Sequence, residues 1–178
     1  MSELCKFLDR PGCVSGSRPE RLAELAGGRG RGSLERLGLT ALRPAAWLTI
    51  LAGIVALWLF NLGSEWIEQR AFPALWASDQ AFTAALAGVM GPGLMLLLSL
   101  SAGIGEEITL RGALQPKLGI ALTSLLFAAL HVQYSWYGML SILVFGLILG
   151  VIRKRSSTTA AILVHTLHNL LAVASAKP

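Results

Sequence analysis

Four long stretches of the sequence contain no charged residue, and they constrain the fold more than any other feature. Residues 44–64, 80–105, 118–152 and 156–176 run for 21, 26, 35 and 21 residues without Asp, Glu, Lys or Arg. A helix needs about 20 apolar residues to cross a bilayer core of about 30 Å. Four such stretches in 178 residues predict an all-α, polytopic transmembrane helix bundle, because lipid tolerates only backbone that is hydrogen-bonded within itself.

Helix breakers inside the two longest stretches set the expected number of spans. The 35-residue stretch would form a helix of about 52 Å, which is too long for one crossing. We expect two short helices there, at about 118–132 and 137–152, and a re-entrant hairpin is the alternative. Gly91-Pro92-Gly93 predicts an interfacial helix at 79–90 and a span from about Gly93 to Ala113. The bundle would then have four to five spans plus interfacial helices.

Positive charge is concentrated before the first apolar stretch. Residues 1–43 hold eight of the fifteen Lys and Arg residues and include the run GGRGRG. We expect a basic, flexible segment at 1–43 and a transmembrane domain at 44–178. The basic excess there and in Arg153-Lys154-Arg155 predicts a cytoplasmic N-terminus. One short Arg-Gly run is weak support for nucleic-acid binding, so we expect the lipid bilayer as the partner of this segment.

A few ionisable groups and one amide interrupt the apolar body, where charge is expensive and usually serves function. They are Glu106, Glu107, Arg111, His131, His165, His168 and Asn169. Glu107 and Arg111 stand four apart in the order that favours an ion pair on a helix, which leaves Glu106 without a local partner. A desolvated carboxylate of that kind can act as a general base. A charge pair that anchors the helix end is the alternative.

Two further patterns bring polar groups onto helix faces. Phe127 and His131 are four residues apart, and so are His165 and Asn169, so each pair shares a face. His and Asn can donate hydrogen bonds to a developing oxyanion, although polar contacts between helices would use the same residues. Taken together, the patterns predict a hydrolytic site in which a carboxylate activates water and histidine shares the proton transfer.

The three patterns resemble the signature of the CAAX prenyl endopeptidase and bacteriocin-processing family (CPBP, or Abi) of glutamate-type intramembrane proteases. They are E-E-x-x-x-R at Glu106–Arg111, F-x-x-x-H at Phe127–His131 and H-x-x-x-N at His165–Asn169, in the order of the family. The resemblance covers about residues 95–172, which we expect to form the catalytic core.

The resemblance implies a role for each matching residue. Glu106 would activate water, and His131 would hold that water or relay its proton. His165 and Asn169 would form the oxyanion hole. His168 lies outside the pattern. The residues that would shape the site are Glu107, Arg111 and Phe127.

The resemblance also implies a function and a location. It implies a metal-independent peptidase without cofactor, in a prokaryotic cytoplasmic (inner) membrane, acting on a C-terminal anchor, a prenylated tail or a leader peptide. Two other functions stay open. A zinc protease could use Glu106, His131 and His165 as ligands, although the sequence has no H-E-x-x-H. A non-enzymatic protein, for bacteriocin immunity or proton-coupled binding or transport, could use the same buried groups.

Overall fold

The computed structural model describes residues 32–175, and they form helices without any strand. This confirms the predicted all-α bundle. The predicted segment at 1–43 lies mostly outside the described residues. The elements are α1 (Pro44–Ala71), α2 (Pro73–Val89), α3 (Pro92–Glu106), a π-helix (Glu107–Leu114), α4 (Gln115–Ala129), α5 (Trp136–Arg155) and α6 (Thr158–Ser175).

The protein is an integral membrane protein with three candidate spans among the described residues. Pro44–Ala71, Gly93–Ala129 and Trp136–Arg155 are long and apolar enough to cross a bilayer. The sequence predicted four to five spans, and two of those lie in the continuous stretch Gly93–Ala129. That stretch is 37 residues long, or about 55 Å, which exceeds one bilayer core. Gly119 bends it with a φ of 77°, a left-handed conformation that glycine adopts without strain.

Both predicted helix breaks are present. α2 ends at Val89 and α3 begins at Pro92, where proline suits the first turn because its missing N–H has no partner there. α4 ends at Ala129 and α5 begins at Trp136, so the turn is formed by residues 130–135. It begins three residues earlier than predicted, because the predicted helix at 118–132 ends at Ala129. The turn places His131 just beyond the end of α4.

Close contact between α3 and α6 depends on a glycine. A Cβ atom at Gly103 would lie 3.1 Å from the backbone nitrogen of Thr166 and 3.2 Å from its Cα. Small residues let membrane helices approach in this way. Because Glu106 follows Gly103 by one turn and His165 precedes Thr166, this contact sets the separation of two candidate site residues.

A buried acidic group holds the turn before α5. Asp79 accepts hydrogen bonds from the Ser135 backbone N–H at 2.8 Å and from its hydroxyl at 2.7 Å. The same hydroxyl accepts from Gly138 N–H at 3.1 Å, which caps α5. The hydroxyl also lies 3.4 Å from a carboxylate oxygen of Glu68. α1, α2 and the turn that carries His131 are therefore joined by polar contacts.

Residues before the predicted boundary at Pro44 contact the start of α6. Thr158 donates its hydroxyl to Leu37 O at 2.6 Å and its N–H to Gly38 O at 3.0 Å. Thr159 donates to Thr40 O at 2.9 Å. The compact unit accordingly begins at Leu34.

Gly103→Ala should destabilise the bundle, since its methyl group has to displace the backbone of Thr166. Overpacking of this kind costs roughly 1–3 kcal/mol. Gly93→Ala is the matched control, because it lies in the same helix and its Cβ would meet nothing within 4 Å. Unfolding of both variants by SDS titration in mixed micelles measures the difference. Equal stability of the two variants would show that the α3–α6 contact is not tight.

Candidate active site

The first motif lies where α3 changes into a π-helix. Glu106 is the last residue of α3, and Glu107 is the first of the π-helix. The backbone N–H of Gln115 bonds to Leu110 O, the i→i+5 pattern of a π-helix, and such segments occur often at functional sites. Arg153 donates its Nε–H to Arg111 O at 3.0 Å, so α5 supports a carbonyl of the π-helix.

Glu107, Arg111 and His165 form a buried cluster of charged and polar groups. Glu107 and Arg111 have no exposed side-chain area, and Arg111 Nε lies 3.4 Å from Glu107 Oε2. The other oxygen of Glu107 lies 3.1 Å from His165 Nδ1. A buried charge without a partner is strongly unfavourable. Each oxygen of this carboxylate therefore faces a basic side chain, Arg111 on one side and His165 on the other.

Arg111 is enclosed by α4 and α5. Its Nη1 donates to the Thr123 hydroxyl at 3.4 Å, and its guanidinium lies 5.4 Å from the ring centroid of Phe127. A Cβ at Gly146 would come within 3.2 Å of Arg111 Nη2, so the glycine leaves room for the guanidinium. The predicted pairing of Glu107 with Arg111 is present, and it is reinforced by neighbours that no sequence motif indicated.

Glu106 differs sharply from Glu107. Its side chain is 31% exposed, against none for Glu107. Its Oε2 lies 3.9 Å from His165 Nε2 and is buried without a hydrogen-bond partner among the described residues. Glu106 also lines an open cleft of about 490 Å³. The imidazole of His165 thus lies between the two neighbouring carboxylates.

His131 is held by the residue that precedes it by one turn. Its Nδ1 lies 2.8 Å from Phe127 O, and the two rings are 4.8 Å apart. Since a carbonyl only accepts, Nδ1 carries the proton and Nε2 is left as an acceptor. His131 forms no hydrogen bond or ion pair with Glu106 or His165 in the described part of the chain.

Asn169 lies one turn after His165 on α6 and is half-buried. Its side chain forms no hydrogen bond with the residues that the structure describes. The structure therefore brings together Glu106, Glu107, Arg111, Phe127 and His165. His131 contacts this set only through Phe127, and Asn169 forms no hydrogen bond with it.

Phe145 joins the site although no sequence pattern indicated it. Its ring lies 5.1 Å from that of His165, 4.8 Å from that of His168 and 5.9 Å from that of Phe127. An isolated phenylalanine in the apolar middle of α5 carries no motif, so only the packing shows its place. Phe145 gives His168 a structural contact in the same cluster.

Buried polar atoms without partners concentrate at this site. Among the described residues, Glu106 Oε2, Glu107 Oε2, Arg111 Nε and Arg111 Nη2 are buried without a hydrogen bond. Native proteins contain few such atoms, and each calls for an explanation. Their concentration beside one cleft is typical of a functional site rather than of a structural core.

The described residues contain no group of three His, Cys, Asp or Glu side chains placed to hold a metal ion. The zinc hypothesis needed Glu106, His131 and His165 as joint ligands. Only the Glu106–His165 pair of that set is close.

Comparison with known families finds a match, which covers the three motifs. Residues 88–171 match the family model for type II CAAX prenyl endopeptidase Rce1-like proteins. Over these residues, the chain is similar to the CAAX protease family. The match spans slightly less than half of the chain and contains all three motifs. No curated protein and no solved structure matches the chain.

Similarity to the CAAX protease family suggests a peptidase with membrane-associated peptide substrates. The family match confirms the resemblance drawn from the three motifs. It also gives the cluster around His165 a functional context, since Glu106, Phe127 and His165 all lie within the matched residues.

Glu107→Gln should destabilise the protein more than Glu106→Gln does. The substitution leaves Arg111 buried without its counter-charge, and breaking a buried pair costs about 3–5 kcal/mol. Glu106 is partly exposed and has no ion pair with Arg111, so it is the matched control one position away. SDS titration of both variants in mixed micelles measures the difference, and equal stability would contradict a structural role for Glu107.

Proposed function

We propose that the protein is a glutamate-dependent intramembrane endopeptidase in which Glu106 activates the attacking water. One observation carries the proposal. Of two adjacent carboxylates, Glu107 is wholly buried with a basic group beside each oxygen, whereas Glu106 is 31% exposed and lines the cleft. A general base must reach solvent and substrate, and only Glu106 meets that requirement.

The geometry of His131 supports a role in proton transfer. Because Nδ1–H is held by Phe127 O, Nε2 is available as an acceptor. Leu130, the residue before His131, lines the same cleft as Glu106. A water molecule in that cleft could be oriented by His131 from one side and deprotonated by Glu106 from the other.

The geometry of His165 supports a role in stabilising the oxyanion. Glu107 holds its Nδ1, so Nε2 is the atom turned toward Glu106, which lines the cleft. With His165 protonated, the cluster contains two carboxylates and two cations, which balances its buried charge. A protonated His165 can donate from Nε2 to the developing oxyanion, and Asn169 would add a second donor.

The reaction then follows in balanced steps. Glu106 takes one proton from water as the oxygen of that water bonds to the carbonyl carbon of the scissile peptide. The carbonyl oxygen becomes an oxyanion near His165 and Asn169. When the C–N bond breaks, the proton passes from Glu106 to the leaving nitrogen, directly or through His131. The carboxylate of Glu106 is regenerated.

The proposed substrate is a peptide that lies in or at the membrane, such as a C-terminal anchor, a prenylated tail or a leader peptide. The basic residues of the N-terminal segment and of Arg153-Lys154-Arg155 support a cytoplasmic location for both, by the positive-inside rule. A prokaryotic inner membrane is the proposed location.

Purified protein in lipid vesicles should cut some members of a library of membrane-anchored peptides. Glu106→Gln should reduce kcat/KM by at least 100-fold, since general base catalysis contributes about 10²–10⁴-fold. Mass spectrometry of the products measures the cut. Activity retained in Glu106→Gln would contradict the proposed role.

A strong chelator separates this proposal from the zinc hypothesis. Cleavage should continue at an unchanged rate after treatment with chelator, because Glu106 and not a metal activates the water. Loss of cleavage on chelation, with recovery on added zinc, would favour zinc instead. A protein that cuts no peptide yet confers immunity or proton-coupled transport would favour the non-enzymatic alternative.

Asn169→Ala should lower kcat with little change in KM. A single oxyanion donor contributes about 10²–10³-fold to kcat, and its contact forms only as the transition state develops. Steady-state kinetics on the best peptide measures both constants. A change confined to KM would show that Asn169 binds the substrate and not the oxyanion.

A further inference from the structure

The cleft beside Glu106 extends along one face of α3 into the π-helix. It has a volume of about 490 Å³, within the range of ligand-binding clefts. Most of its lining is apolar or small. The lining residues are Leu98, Ser101, Ala102, Gly105, Glu106, Thr109, Leu110 and Leu130.

The two hydroxyl groups in the cleft are already hydrogen-bonded within their own helix. Ser101 donates to Leu98 O at 3.0 Å, and Thr109 donates to Gly105 O at 2.8 Å. Glu106 is therefore the one side chain of the lining that has a buried oxygen without a partner. A cleft with this lining suits an apolar side chain placed next to a reacting group.

Gly105 lies immediately before Glu106, and no neighbouring atom requires a glycine at this position. A Cβ atom there would meet nothing within 4 Å. At Gly103, two residues earlier, the space is filled by Thr166. Gly105 itself lines the cleft, so a side chain at position 105 would enter open space on the cleft side of α3. The missing side chain therefore leaves the cleft wider next to Glu106.

We propose that Gly105 is a specificity-determining residue, which lets the cleft accept a large apolar side chain next to the scissile bond. The proposal rests on the proposed role of Glu106, because Glu106 places the reacting carbonyl at this end of the cleft. One methylene in an apolar pocket changes kcat/KM by about 10–200-fold. Filling the cleft at position 105 should therefore reverse a preference for large side chains.

The test compares two peptides that differ only by Leu or Ala at the residue next to the cut. In the native protein, the Leu peptide should have the higher kcat/KM. Gly105→Leu should lower kcat/KM for the Leu peptide at least tenfold more than for the Ala peptide, and Gly105→Ala should shift the ratio in the same direction by less. Gly93→Leu is the matched control on the same helix, away from the cleft, and should leave the ratio unchanged.

An unchanged Leu-to-Ala ratio in a folded, active Gly105→Leu protein would overturn the proposal while leaving the role of Glu106 intact. If the native protein cuts neither peptide, the result counts against the role of Glu106. Binding of the Leu peptide in the cleft then tests the role of Gly105 independently. A photoreactive phenylalanine analogue at position 101 should then crosslink the Leu peptide, and the same analogue at position 93 should not. Crosslinking that is equal at both positions, or absent at 101, would overturn the proposal.

Discussion

The buried pair of Glu107 and Arg111, extended by His165, is the interaction on which the rest of the site depends. Two fully buried charges are tolerated only when each has its partners in place. α3, the π-helix and α6 must therefore keep a fixed separation, and Gly103 allows it by bringing α3 against the backbone of Thr166. Phe127 and Phe145 complete the enclosure from α4 and α5.

This arrangement gives two adjacent glutamates, Glu106 and Glu107, different surroundings. Adjacent residues of a helix point about 100° apart, so Glu107 enters the ion cluster while Glu106 lines the cleft. The change from α-helix to π-helix falls between them. His165 contacts both, with Nδ1 toward Glu107 and Nε2 toward Glu106. A change in the buried cluster would therefore reach Glu106, the proposed general base, through the imidazole of His165. The cleft adds an apolar surface beside Glu106, as a membrane-embedded substrate would require.

Much of the fold could be predicted from the sequence, because apolar stretches, helix breakers and helix periodicity have direct physical consequences. The breaks at Gly91-Pro92-Gly93 and at residues 130–135, and the Glu107–Arg111 pair, follow from helix breakers and helix periodicity. No sequence pattern indicated the π-helix or the kink at Gly119. The π-helix joins α3 to α4 without a break, so two predicted spans lie in one helical stretch. Phe145 could not be found because its importance comes from packing between helices. The functional pairing of His131 and Asn169 with Glu106 stays a prediction.

The central claim is that Glu106 adds water to a carbonyl group. A peptidyl ketone of the preferred sequence cannot be cut, but its oxygen exchanges with water labelled with ¹⁸O whenever water adds and leaves again. Mass spectrometry of the recovered ketone should show exchange catalysed by the native protein and none above background with Glu106→Gln. Exchange that persists in Glu106→Gln, or its absence in a protein that cuts the matching peptide, would contradict the account.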